Sequence, residues 1–230
     1  MIEVRKSNER GTAHFGWLDS KHTFSFGHYY DPNHMGFSVL RVINDDVVIP
    51  SAGFDTHGHK DMEIISYVLE GSIEHKDSRG NVEVLPAGEF QLMSAGQGIL
   101  HSEFNASATA NLRFLQIWIQ PNKTGGPAGY QQKQFGRAEG LTTIVTPTGE
   151  DGTLQIKQDA KLHQLILQPS SELSFTPKQP NIYVHLVDGE LDINGTVIEP
   201  GDGVKITETK QLMFTNVSNK QITALVFELP

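Results

Sequence analysis

Short apolar stretches of four to eight residues recur along the whole chain, built from Val, Ile, Leu and Phe and cut apart by Gly, Pro, Asn and Asp. Val39–Val42, Ile64–Leu69, Leu112–Ile119, Tyr183–Val187 and Ala224–Leu229 are examples. Stretches of this length, bounded by turn residues, are the mark of an all-β sandwich or barrel. Ala160–Leu167 is the one segment that fits a short helix as well as a strand, and it is counted here as strand.

The 230 residues allow one large β-domain or two of roughly 100 to 120 residues, each able to bury its own core without help from a metal. Two features favour division. Breaker residues crowd into Gln120-Pro-Asn-Lys-Thr-Gly-Gly-Pro-Ala-Gly129, which reads as a linker. A weak repeat also flanks it: Val68-Leu-Glu-Gly71-Ser-Ile and Leu85-Pro-Ala-Gly88-Glu are echoed by Val187-Asp-Gly189-Glu-Leu and Glu199-Pro-Gly201-Asp. Each copy fits strand, glycine turn, strand, Pro-Gly turn, so two similar barrels are expected, at 1–120 and 131–230, joined by 121–130.

The first half carries two ligand-x-ligand patterns inside strand-like segments, His57-Gly-His59 and His101-Ser-Glu103. Alternate strand residues face the same side, so neighbouring strands bring three imidazoles and a carboxylate to one interior. Such a set suits a borderline transition ion, namely iron, copper, nickel, manganese or zinc, and not calcium. Gly58 between the first pair would let backbone pack closely, and the glycine-rich run Gly96-Gln-Gly98 is a bend of the kind that aims a residue inward at a barrel rim. Glu63 is a rival carboxylate: strand parity puts it on the face of His57 and His59, although an extended strand displaces it by about 13 Å from His59 at ~3.3 Å per residue. Counting from the repeat glycines puts Phe175, Pro177 and Phe214 at the corresponding positions of the second half, which is therefore expected to lack a metal site.

The other histidines read as structural. His14, His28 and His34 lie in loop sequence, His75 sits in what looks like an exposed hairpin end, and His163 and His185 have no partner at ligand spacing. His22 falls on the apolar face of its segment and reads as a satisfied core histidine beside the pocket. The absence of cysteine removes disulfides, thiolate ligands and iron–sulfur clusters. A net charge of −9 without a basic cluster disfavours nucleic acid. Neither a signal peptide nor a span long enough for a bilayer is seen, so a cytoplasmic protein is expected.

The two ligand segments resemble the metal motifs of the cupin superfamily, with His57, His59 and Glu63 matching the first, and Gly96 to Asn105 matching the second except that Gly96 replaces the usual Pro. Met93-Ser-Ala-Gly-Gln-Gly-Ile-Leu-His101-Ser-Glu103 is similar to the pirin family in particular. So are Trp17-Leu-Asp-Ser-Lys-His22-Thr-Phe-Ser-Phe26 and the stretch Tyr29 to Asp46. The resemblance implies a bicupin of two double-stranded β-helix (jelly-roll) barrels, the first holding one metal, commonly Fe(II), through His57, His59, His101 and Glu103, with Glu63 left outside. Gly58, where relatives tend to carry Pro, departs from the pattern without removing a ligand. The activity implied is that of a quercetin 2,3-dioxygenase, which opens a flavonol ring with O2 and releases carbon monoxide, Glu103 serving also as the base. Two alternatives stand beside it: an iron-dependent, redox-sensing regulator acting through a protein partner, and an O2-independent cupin isomerase or decarboxylase. A monomer is expected, since two packed barrels already hide much surface.

Overall fold

The computed structural model describes residues 1–230 and is built of antiparallel strands. The first twelve are β1 Ile2–Arg5, β2 Gly11–His14, β3 Leu18–His22, β4 Leu40–Val48, β5 Gly53–His59, β6 Glu63–Glu70, β7 Ser72–Asp77, β8 Val82–Pro86, β9 Glu89–Ser94, β10 Ile99–Asn105, β11 Leu112–Ile119 and β12 Gly129–Gln134. The rest are β13 Gly140–Thr146, β14 Leu154–Gln155, β15 Lys161–Leu167, β16 Glu172–Phe175, β17 Asn181–Asp188, β18 Leu191–Ile193, β19 Thr196–Ile198, β20 Gly203–Thr207, β21 Leu212–Asn216 and β22 Ile222–Leu229. Two 3-10 turns, Ser7–Glu9 and Glu150–Gly152, are the only helical segments. The all-β expectation holds, and the ambiguous stretch before Leu167 is a strand.

Contacts group the chain into two compact units. One comprises Gly11–Phe135 with Leu154–Gln158; the other comprises Met1–Arg10, Gly136–Thr153 and Asp159–Pro230. In the first, a sheet ordered β12-β9-β6-β11-β4-β3-β2 lies against a smaller one ordered β5-β10-β7-β8. Leu18, Val48, Val68, Leu112 and Phe114 of the large sheet pack on Ile73 and Leu85 of the small one, so the core lies between the sheets. In the second unit the run β1-β20-β17-β22-β15-β13 and the sheet β16-β21-β18-β19 repeat that order strand for strand.

The repeat extends to backbone detail. Gly71 and Gly189 have φ of 78° and 86°, and Gly88 and Gly201 have φ of 88° and 83°. Both pairs use the left-handed region that a Cβ disfavours. Asn105 and Asn216 close the same loop in each unit: the side-chain amide of Asn105 donates to the carbonyls of Val48, Ile49 and Ala110, and that of Asn216 to those of Leu167 and Lys220. This match sets Glu103 against Phe214 and His101 against Leu212. Counting from Gly201 had set Phe214 against His101; the path from Gly201 to Leu212 is two residues shorter than that from Gly88 to His101, which shifts the match.

The boundaries differ from those expected at 1–120, 121–130 and 131–230. Strand β1 pairs with β20 of the second unit, and Asp202 beside it accepts from Lys6 Nζ at 2.8 Å and Ser7 N at 2.7 Å. The breaker-rich segment ends in β12, which pairs with β9 of the first unit. The reason is the same in both: β9 and β20 are paired on one side by β6 and β17, and their other row of N–H and C=O groups needs a partner. That partner comes from whichever segment reaches it, and breaker content does not reveal which.

Gly53, rather than Gly58, is the glycine that close packing demands. A Cβ at Gly53 would lie 2.3 Å from Glu103 O and 2.5 Å from Phe104 Cα, whereas at Gly58 its nearest neighbour is a Leu100 methyl at 3.2 Å. Gly96, where cupins usually carry Pro, has φ +51° and would place a Cβ 2.2 Å from Gly126 O, so the departure follows from the close passage of the 121–128 loop. Gly53→Ala is therefore expected to cost about 2 kcal/mol in a urea titration, since backbone must move. Gly129→Ala, with nothing within 4 Å, should stay within about 0.5 kcal/mol.

Candidate metal centre

His57 and His59 on β5 meet His101 on β10 because these strands pair with His101 opposite His57 and Ile99 opposite His59. Alternation sends all three side chains to one face, and their donor atoms lie within 4.8 Å of one another. Ring centroids are 4.5 Å apart for His57 and His101, 4.8 Å for His57 and His59, and 4.9 Å for His59 and His101. His57 Nδ1 is 2.7 Å from the Asp55 carbonyl. It donates there, which leaves Nε2 bare and turned toward His101 Nε2 at 3.0 Å. An imidazole anchored on a carbonyl through one nitrogen, with the other aimed at a cluster, has the orientation of a metal-binding histidine. The β5–β10 register shifts between His101 and Glu103, a bulge that kinks this pairing.

Glu103 is buried on the same strand and face. Its Oε2 accepts from Gln116 Nε2 at 2.9 Å, and its Oε1 from Gln91 Nε2 at 3.2 Å and Ser66 Oγ at 3.4 Å. Both amides are themselves oriented: Trp118 Nε1 donates to Gln116 Oε1 at 3.1 Å, and Tyr130 OH lies 3.1 Å from Gln91 Oε1. Each partner needs the amide oxygen, so each leaves the NH2 for Glu103. An aromatic wall runs away from the cluster, with Trp118 edge-on to His59 at 5.0 Å, Phe26 to Trp118 at 5.3 Å and His22 to Phe26 at 5.3 Å.

Glu63 faces elsewhere. Asp61, at φ +49°, breaks the strand between His59 and Glu63, so parity does not carry across. Its Oε2 accepts from Ser94 Oγ at 2.8 Å and Lys157 N at 3.2 Å. His75 is the residue that the sequence reading misplaced. It is fully buried on β7 directly opposite Glu103, and its donor atom lies within 4.8 Å of those of His101 and Glu103. The alternation Ile73, His75, Asp77 carried the signal, but the polar turn that follows obscured it. His22 is buried beside the aromatic wall. His163 is a satisfied core histidine, held by Thr143 Oγ1 at 3.1 Å and Glu228 Oε1 at 3.0 Å.

Family comparison agrees with this architecture. The Pirin family model matches residues 3–119, and the model for the quercetinase C-terminal cupin domain matches 143–229. A protein of Escherichia coli K12 named quercetin 2,3-dioxygenase is 47% identical over 231 residues, covering 100% of this chain and 99% of its own. The chain belongs to the pirin family. A pirin-like protein of Caulobacter vibrioides is 36% identical over 96% of this chain and 97% of its own. Among solved structures, the Escherichia coli bacterial pirin YhhW in complex with nickel(II) superposes with a TM-score of 0.96 at 46% identity, covering 100% of this chain and 99% of that one.

In this pirin the two cupin barrels differ in one interior layer. Ser66 stands opposite both Gln91 and Gln116, and Glu103 stands opposite His75. The same ladder positions of the second barrel hold Val184 opposite Val204 and Val226, and Phe214 opposite Ile193. All five belong to its apolar core. His57 and His101 correspond to Phe175 and Leu212, which also pair. At these positions the second barrel packs apolar side chains where the first carries polar ones.

Burial, then the neighbouring imidazoles, push His59 down to about 4 and His101 down to about 3. Both rings are neutral at pH 7, the form that binds a metal. Three converging imidazoles with a buried carboxylate beside them fit a single divalent transition ion. Asp46 behaves in the opposite sense: burial above all, with Asp45 and Glu103 adding repulsion against a Ser20 hydrogen bond, raises it to about 7. Its folded value exceeds its unfolded one, so its cost to the metal-free protein is absent below about pH 4 and complete above about pH 7. That cost is on the order of 2–4 kcal/mol. Asp46→Asn should therefore raise the melting temperature of the metal-free protein more at pH 8 than at pH 4.5; an equal gain at both would show that Asp46 titrates normally.

Proposed function

We propose that this pirin is a metal-dependent quercetin 2,3-dioxygenase, which opens the central ring of a flavonol with O2 and releases carbon monoxide. The observation that carries the reading is the convergence of His57, His59 and His101 beside the oriented carboxylate of Glu103, at the foot of the Trp118–Phe26 wall. The full-length relative named quercetin 2,3-dioxygenase supports it, as does the nickel(II) complex of the E. coli pirin. His57, His59, His101 and Glu103 would hold the ion, taken to be Fe(II), with Cu, Ni, Mn and Zn also compatible with the donor set. When bound, it supplies the Lewis acidity and the redox chemistry that reaction of a flavonol with O2 requires.

The rest falls to the protein. Glu103 takes the proton of the flavonol 3-hydroxyl, and Gln116, Gln91 and Ser66 keep its carboxylate turned to that task. Trp118 and Phe26 offer apolar surface to an aromatic ligand, and Ile64 and Met93, packed against Trp118, keep water from the reacting ring. The protein is proposed to act on this small molecule as a cytoplasmic monomer, without nucleic acid.

Iron-loaded protein given quercetin in air should release carbon monoxide in step with substrate loss, and an anaerobic sample should release none. His101→Ala should abolish both metal retention and release. Gln116→Leu, which removes one donor to Glu103, should lower metal affinity or turnover about 10–100-fold. Fully metallated protein that releases no carbon monoxide would sink the assignment and favour the redox-sensing regulator.

A further inference from the structure

The row of rings that leads away from the metal centre ends on a glycine. Trp118 stands edge-on to His59 at 5.0 Å, Phe26 to Trp118 at 5.3 Å and His22 to Phe26 at 5.3 Å, and Tyr29 lies 6.4 Å from His22. Gly11, on the edge strand β2, stands opposite His22. It lies in a strand and has no positive φ, so no turn calls for a glycine there. The Tyr29 ring does. A Cβ on Gly11 would lie 2.6 Å from Tyr29 Cδ2 and closer still to Cγ and Cδ1, so the ring occupies the space a side chain would take.

Tyr29 and Phe26 are tied by a pair of backbone hydrogen bonds, each N–H donating to the other's carbonyl at 3.0 Å. The loop around them closes on Ser25, whose N donates to His34 O at 2.7 Å. Ser25 Oγ donates to Asp31 O at 2.9 Å and accepts from Asp31 N at 2.8 Å. Residues 25–34 therefore form a compact loop closed on itself, a form that often carries function at a protein surface. Where Tyr29 is seated decides where Phe26 stands. Phe26, Trp118 and His59 are each only half-buried, so the face they make reaches solvent.

We propose that Tyr29 is a positioning residue of the metal centre: seated on Gly11, it holds Phe26 against Trp118 and so sets the face on which the outlying aromatic ring of a bound ligand lies. The inference rests on the flavonol reading above for its ligand, and adds to it the pair of residues that shapes the site from outside. Rings held in place before the ligand arrives spare it the cost of ordering them.

Zinc-loaded protein allows binding to be read without redox turnover. The test compares 3-hydroxyflavone, which carries a phenyl ring, with 3-hydroxychromone, which lacks it, by the absorbance shift on binding. Gly11→Ala, which expels the Tyr29 ring, and Tyr29→Ala, which deletes it, should each bind 3-hydroxyflavone about 3–10-fold more weakly, with 3-hydroxychromone affinity and zinc content unchanged. Tyr29→Phe, which keeps the ring, should bind as the wild type does. The Gly11→Ala/Tyr29→Ala double variant should lose no more than Tyr29→Ala, because the methyl then has an empty seat to fill. In a Trp17→Phe background Trp118 is the sole tryptophan, and its quenching by acrylamide should rise in Gly11→Ala and Tyr29→Ala. Equal losses for both ligands, additive losses in the double variant, or unaltered quenching would each overturn the inference. Failure of both ligands to bind the wild type would instead overturn the flavonol reading, and the quenching would still decide whether Tyr29 holds the wall.

Discussion

A carboxylate placed inside a β-barrel must find hydrogen-bond donors, and the first barrel is organised around that demand. Glu103 draws Gln116, Gln91 and Ser66 inward from the opposite sheet. Each of those amides then needs its oxygen satisfied, which recruits Trp118 and Tyr130. A half-satisfied network of this kind is worse than an apolar core, so its members stand or fall together. Tyr130 reaches the chamber because β12 is added beside β9, and this gives the breaker-rich segment 121–128 a structural purpose.

The second barrel shows what the same topology does when the demand is absent. Val184, Val204, Val226, Ile193 and Phe214 fill the layer that is polar in the first. Hydrophobic side chains of that size each contribute on the order of 1.5–3 kcal/mol when buried. The metal barrel forgoes that contribution at each polar position and so holds an interior built for binding. Two copies of one fold thus differ in the polarity of the same interior layer.

Much of this was legible in the sequence because strands write their pattern at short range. Turn residues marked the strands, the Gly71/Gly88 and Gly189/Gly201 echoes marked the duplication, and the His57-x-His59 and His101-x-Glu103 spacing brought together the residues that now share one face. What failed was of longer range. Parity did not survive the turn at Asp61, so Glu63 points away from the histidines. His75 was hidden by the charged turn beside it, although its pairing with Glu103 makes it central. Breaker content could not show that β1 belongs to the second barrel, because edge pairing depends on which segment reaches an open strand.

Order of synthesis separates β1 from its partner. Strand β1 is synthesised roughly 200 residues before its partner strand β20, an interval on the order of 10–40 s at common elongation rates. The first barrel, whose residues all lie between them, is synthesised while β1 is still without its place. Strand β1 therefore stays an unpaired edge until completion of the second barrel takes it up, and a ribosome that stalls before β20 would leave it without a partner.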